Sequence, residues 1–144
     1  MKTQIFVNLP VKDLDRSVEF FTRLGFSFNP QFTDQNATCM IVSDTIFVML
    51  LVEPFFKTFI KKEIADAKKT TEVLITLSVE NRGRVDEQVK KAKAAGATIP
   101  NEPQDHGWMY SHGFQDLDGH IWEMVYMDME ALKNQNAAEF AKQK

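Results

Sequence analysis

Apolar and polar positions follow two different periods along the chain. In "QIFVNLPV" a short apolar run closes at Pro10 and reads as a strand. Across "KDLDRSVEFFTRLGF" the period becomes helical. Leu14, Val18, Phe21 and Leu24 share one face, Asp13 is placed to cap the first turn, and Gly25 supplies a left-handed stop. Three further strand-like runs follow, "FSFNPQFT", "ATCMIVS" and "TIFVMLLV", separated by the turn-forming "DQN" and "SD". Residues 4–52 therefore predict a β-α-β-β-β module.

The order then repeats over 72–127. "EVLITLSV" is an apolar run, "RGRVDEQVKKAKAAG" carries Val85, Val89 and Ala92 near helical spacing and stops at Gly96, and strands are predicted around 97–100, 107–115 and 120–127. Val11 to Gly25 and Val79 to Gly96 are nearly equal spans, as expected of a repeat whose copies need each other to bury a sheet face. The reading is an α+β fold of paired βαβββ modules, either one domain over 1–144 or two small halves sharing a core. Between the modules, Phe55, Phe56, Phe59, Ile60 and Ile64 form an apolar stripe among lysines. That stripe predicts an amphipathic linker helix within 53–71, serving as a cap on exposed core or as a lid or dimer surface. A polar helix is predicted over 128–142.

Charge narrows the partners. A net charge of −3 and a pI near 5.6 provide no basic field, so neither nucleic acid nor an anionic membrane surface is an expected partner. The single cysteine, Cys39, has no partner for an internal disulfide and reads as a core residue. No apolar run reaches transmembrane length, and "MKTQIFVNLP" lacks a signal-peptide core, so a cytoplasmic location is expected.

The paired modules, with the opening "NLPVKDLDRSVEFFTRLGF" and the closing "DLDGHIWEM", resemble the glyoxalase/bleomycin-resistance/dioxygenase superfamily, also called vicinal oxygen chelate proteins. Within it the chain is similar to the uncharacterised group named predicted lactoylglutathione lyases. The resemblance implies a cup-shaped mixed sheet, a homodimer, and four inward strand positions that hold a divalent ion in metal-using members. Matched through the motifs, those positions fall on Phe6, about Met49, Leu74 and Glu123. Zinc, nickel or iron wants three or four N, O or S donors, and only Glu123 supplies a carboxylate. The expectation is no cofactor, with the standard metal ligands replaced. His106, His112 and His120 do not restore a site, because His120 and Glu123, three apart on a strand, point to opposite faces.

The stretch "DLDGHIWE" also sets a register. A type I turn with Gly119 left-handed in a bulge pairs Asp116 with His120 and places Glu123 opposite Gly113, on one face with Ser111 and Met109. A loop one residue shorter would set His112 opposite Glu123 instead. By the period of two, Phe6 and Asn8, and Leu74, Thr76 and Ser78, look inward. The predicted pocket is therefore Phe6, Asn8, Met49, Leu74, Thr76, Met109, Ser111, Gly113 and Glu123, mostly apolar with a few polar points. Three functions fit: a metal-independent protein that binds an as yet unidentified small molecule, a glyoxalase-like lyase or isomerase with Glu123 as catalytic base, or a structural protein with a vestigial cavity in which Asn8 and Glu123 satisfy one another.

Overall fold

The computed structural model describes residues 1–142, and its first five strands and α-helices realise the β-α-β-β-β order. They are β1 (Ile5–Val11), α1 (Leu14–Arg23), β2 (Ser27–Asn29), β3 (Ala37–Ile41) and β4 (Ile46–Val52). The sheet runs β1-β4-β3-β2, with β1 and β4 parallel and the other pairs antiparallel. Asp13 Oδ1 accepts the Arg16 N–H at 3.2 Å and caps α1, while Gly25, at φ 99°, lets the chain leave it. Phe20, Phe21 and Leu24 are buried on the helix side, as are Leu9, Val11, Val48 and Leu50 from the strands. Burial of each such side chain contributes about 1.5–3 kcal/mol. The run "FSFNPQFT" is only partly strand, because Pro30 offers no ladder N–H and Pro30–Phe32 turns as a single 3₁₀ turn.

The helix predicted within 53–71 is confined to α2 (Glu53–Lys57). It stops where Thr58 bonds back to Phe55: backbone N–H and side-chain hydroxyl both donate to the Phe55 carbonyl, at 3.0 and 2.6 Å. The chain then continues without regular structure to a turn at Asp66, whose carbonyl accepts Lys69 and Thr70 N–H groups.

The second half contains β5 (Leu74–Ser78), α3 (Arg82–Ala94), β6 (Gln104–Asp105), β7 (Met109–Gln115), β8 (Ile121–Met127) and α4 (Met129–Lys142). Its sheet order, β5-β8-β7-β6, is the counterpart of the first, with β5 and β8 parallel. The strand expected at 97–100 is reduced to a bridge between Thr98 and Gln115, and the edge strand proper is Gln104–Asp105. Pro100 and Pro103 explain the shift, since neither can donate to a ladder. Asn81 caps α3 by accepting Arg84 N–H at 2.8 Å, and Val85, Val89 and Ala92 are its buried apolar face.

Residue contacts divide the chain into two compact units. The first is Met1–Glu72 with Leu117–Gly119, and the second is Val73–Asp116 with the chain from His120 onward. Among the described residues no helix is long and apolar enough to cross a membrane.

Candidate functional site

The hairpin between β7 and β8 adopts the bulged arrangement. Asp116 N–H donates to the His120 carbonyl at 2.9 Å, His120 N–H returns to Asp116 Oδ1 at 3.0 Å, and Gly119 sits at φ 97°. Gly113 consequently pairs with Glu123, and His112 pairs with Met124. Asp116 does more than close the turn: its Oδ2 accepts the indole N–H of the fully buried Trp122 at 2.9 Å. His120 is buried beside it at 2% exposure. In the first unit, Asp118 Oδ1 accepts Lys12 N–H at 2.8 Å and Oδ2 accepts the Ser17 hydroxyl at 3.3 Å. This bond between "DLDG" and "KDLDRS" gives a physical reason for the two motifs to occur together.

Glu123 is half-buried in the middle of β8, between Thr76 on β5 and Gly113 on β7. Its Oε2 accepts the Thr76 hydroxyl at 3.2 Å. With Ser111 and Gly113 it lines a cavity of about 30 Å³, room for one water-sized group. Leu74 and Met109, placed in the pocket by sequence, are not part of that lining; Leu74 is 57% exposed. His112 Nε2 lies 2.8 Å from the Asn101 carbonyl and is thereby tied to the preceding loop.

The remaining pocket residues belong to the first unit. Parallel pairing sets Phe6 beside Phe47, Asn8 beside Met49 and Pro10 beside Leu51. The Phe6 and Phe47 rings stack at 4.9 Å. Asn8, with Leu51, Phe56, Phe59 and Ile60, lines a cavity of about 440 Å³. Phe6 and Met49 flank Asn8 without lining that cavity. Sequence reasoning did not assign Leu51, Phe56, Phe59 or Ile60 to a pocket, although three of them lay in the apolar stripe after β4. The Asn8 amide donates to the Phe6 carbonyl at 3.4 Å, a long contact.

These residues do not fit the divalent ion of metal-using relatives. Phe6 is engaged in ring stacking, Leu74 is a hydrocarbon, Met49 offers only a thioether, and the strand neighbours of Glu123 are Thr76 and Gly113. Among the described residues no three His, Cys, Asp or Glu side chains come together as a metal shell.

A separate cluster fixes the loop around β6. Arg82 donates to both Asp105 oxygens at 2.8 and 3.0 Å and to the Gly107 carbonyl at 3.0 Å, and its guanidinium lies 5.1 Å from the Tyr110 ring centre. The Arg82 hydrogen bonds, with the Gly107 N–H, lower the Asp105 pKa to about 2. Tyr110 donates to Asp86 at 2.6 Å, and that bond raises its phenol pKa.

The family model described as bleomycin resistance protein-like N-terminal matches residues 3–43. A hypothetical protein from S. aureus is similar at 30% identity, covering 88% of this chain and 95% of its own, with a TM-score of 0.74. A glyoxalase/bleomycin resistance protein/dioxygenase family enzyme from Burkholderia phytofirmans is similar at 16% identity, covering 88% and 99%, with a TM-score of 0.72. The fosfomycin resistance protein FosX from Mesorhizobium loti is similar at 13% identity, covering 88% and 92%, with a TM-score of 0.64. Among curated proteins none matches the chain in sequence.

Proposed function

Since the chain belongs to the glyoxalase/bleomycin resistance/dioxygenase superfamily, we propose that it is a binding protein that holds a small organic molecule through side chains alone, without a divalent metal. The observation that carries this reading is the cavity of about 440 Å³ in the first unit, apolar except for Asn8. Its size falls in the range of about 300–1,000 Å³ typical of small-molecule sites, and its make-up matches their usual pattern of apolar walls with a few orienting polar groups. The residues at the superfamily's metal positions support the second half of the proposal, because one carboxylate is too few donors.

A thermal-shift screen of metabolites and antibiotics, with and without divalent ions or chelator, tests it. Bound compounds should raise the melting temperature in chelator as much as without it, by an increment that grows with concentration over Kd. A screen in which nothing shifts the transition, or only metal-loaded samples respond, sinks the reading. The first outcome would favour a structural protein with a vestigial cavity.

A second reading, a glyoxalase-like lyase or isomerase, is favoured by Glu123, whose carboxylate borders a water-sized cavity and receives a hydroxyl hydrogen bond. In it Glu123 is the general base, its carboxylate lining the small cavity and held there by the Thr76 hydroxyl. Turnover of a hemithioacetal that disappears in Glu123→Gln would support it. A cytoplasmic homodimer completes the proposal; the exposed Ile5, Phe6 and Leu74 on edge strands are apolar surface of the kind an interface covers. Solution mass across a dilution series tests the dimer.

A further inference from the structure

We propose that the first-unit cavity takes an uncharged, flat aromatic ligand bearing one amide-like group, laid against Phe56 and Phe59 and oriented by Asn8. This rests on the reading of the protein as a small-molecule binder and names the class of molecule.

Three observations lead to it. None of the five lining residues is ionisable, so a carboxylate or ammonium entering the cavity would give up hydration and find no opposite charge. The walls carry two aromatic rings, and Phe59 is braced by Phe55 in a T-shaped contact at 5.1 Å. A ring system of similar width gains both area burial and offset stacking there. Asn8 is the one polar side chain of the lining. Its Nδ2 makes a single 3.4 Å contact, to the Phe6 carbonyl, which leaves its carbonyl oxygen and a second N–H to offer. A group that accepts and donates side by side, as an amide does, matches that pair.

The segment that supplies Phe59 and Ile60 is held at both ends. On one side α2 packs against β1 and β4. On the other, Gly119 approaches so closely that a Cβ there would stand 2.8 Å from the Ala67 carbonyl carbon and the Lys68 nitrogen. Phe59 is 67% exposed although it lines the cavity, so a ligand would cover ring surface that otherwise meets water.

The test uses the whole chain and an isosteric set: naphthamide, naphthoate, naphthylmethylammonium and naphthalene, titrated by calorimetry. Naphthamide should bind at least about tenfold more tightly than either charged member, since neither ion recovers its lost hydration. Asn8→Leu should weaken naphthamide about 3- to 10-fold, the value of one or two hydrogen bonds, and leave naphthalene unchanged or tighter. Phe59→Ala should weaken all four. Asn8→Asp, nearly isosteric, should invert the preference in favour of naphthylmethylammonium. Charged members binding as well as naphthamide, or naphthamide affinity indifferent to both Asn8 changes, overturns the ligand class. If library compounds stabilise the protein while the naphthyl set does not bind, the ligand class falls and the binding function stands. If no compound binds at all, both fall.

Discussion

Gly113 faces Glu123 so closely that a Cβ built on it would stand 3.1 Å from Glu123 Cγ and 2.4 Å from the Trp122 carbonyl oxygen. The second contact is with backbone, which cannot swing aside as a side chain can. Gly113→Ala should therefore destabilise the fold by about 1–3 kcal/mol, the usual cost of overpacking a filled site. Urea denaturation measures it, and a stability equal to that of the parent chain would contradict the close pairing of β7 with β8.

Asp116 holds two donors, the Trp122 indole and the His120 amide, where burial makes an unmet donor costly. Asp116→Ala should lose about 2 kcal/mol or more, since at least the indole N–H would lose its acceptor. Asp116→Asn, which keeps one carbonyl acceptor, should lose less. The ordering of the two variants in urea midpoints is the decisive reading.

Asp105 provides a pH prediction. Its folded pKa, about 2, lies below its ordinary 3.8, chiefly because Arg82 donates to it, with Gly107 N–H assisting. A depressed carboxyl pKa stabilises the folded state above the ordinary value, and that contribution fades as pH falls from near 3.8 toward about 2. In carbon-detected titrations the Asp105 midpoint should lie at about 2, and Arg82→Ala should return it toward 3.8. An unchanged midpoint in the variant would remove Arg82 as the cause.

Cys39 is 1% exposed, and burial raises its thiol pKa. Both effects slow thiolate chemistry. A thiol reagent should label the native chain slowly, on the timescale of unfolding, and label it at once in denaturant. Rapid native labelling at neutral pH would contradict that burial.

The metal question has its own measurement. With Phe6, Met49 and Leu74 at the matched positions, elemental analysis of purified protein should find well under one zinc, nickel or iron per chain. A stoichiometric metal lost in Glu123→Ala would overturn the proposal of metal independence.

Local chemistry was the legible part of the sequence. Gly119 following Asp118 selected the bulged turn, and with it the pairing of Gly113 with Glu123, because few other residues accept a left-handed backbone. The same holds for Asp13 and Gly25 at the ends of α1. What the period could not show was where a pattern stops. The Phe55–Ile64 stripe reads as helix throughout, yet Thr58 ends α2 by bonding backward. Near 97–100 apolar content favoured a strand that Pro100 and Pro103 displace to Gln104–Asp105. Of the proposed pocket, Asn8 reaches the large cavity and Ser111, Gly113 and Glu123 the small one. Phe56, Phe59 and Ile60 were missed because an apolar stripe does not say which face it covers. Only tertiary packing supplies that.

The bond from Asp118 to Lys12 spans 106 positions of sequence. The first compact unit is thus finished by three residues, Leu117–Gly119, that arrive long after its other members. At ordinary translation rates of about 5–20 residues per second, the start of α1 waits on the order of ten seconds on the ribosome for the carboxylate that will hold it. During that wait Lys12 N–H and the Ser17 hydroxyl have only water or transient partners. Closing so long a loop costs chain entropy before any bond rewards it, which makes this contact a late step in folding. A nascent chain stalled just before Asp118 should therefore protect β1 and α1 from protease less well than one released after it, and the gain should come at once with the "DLDG" turn.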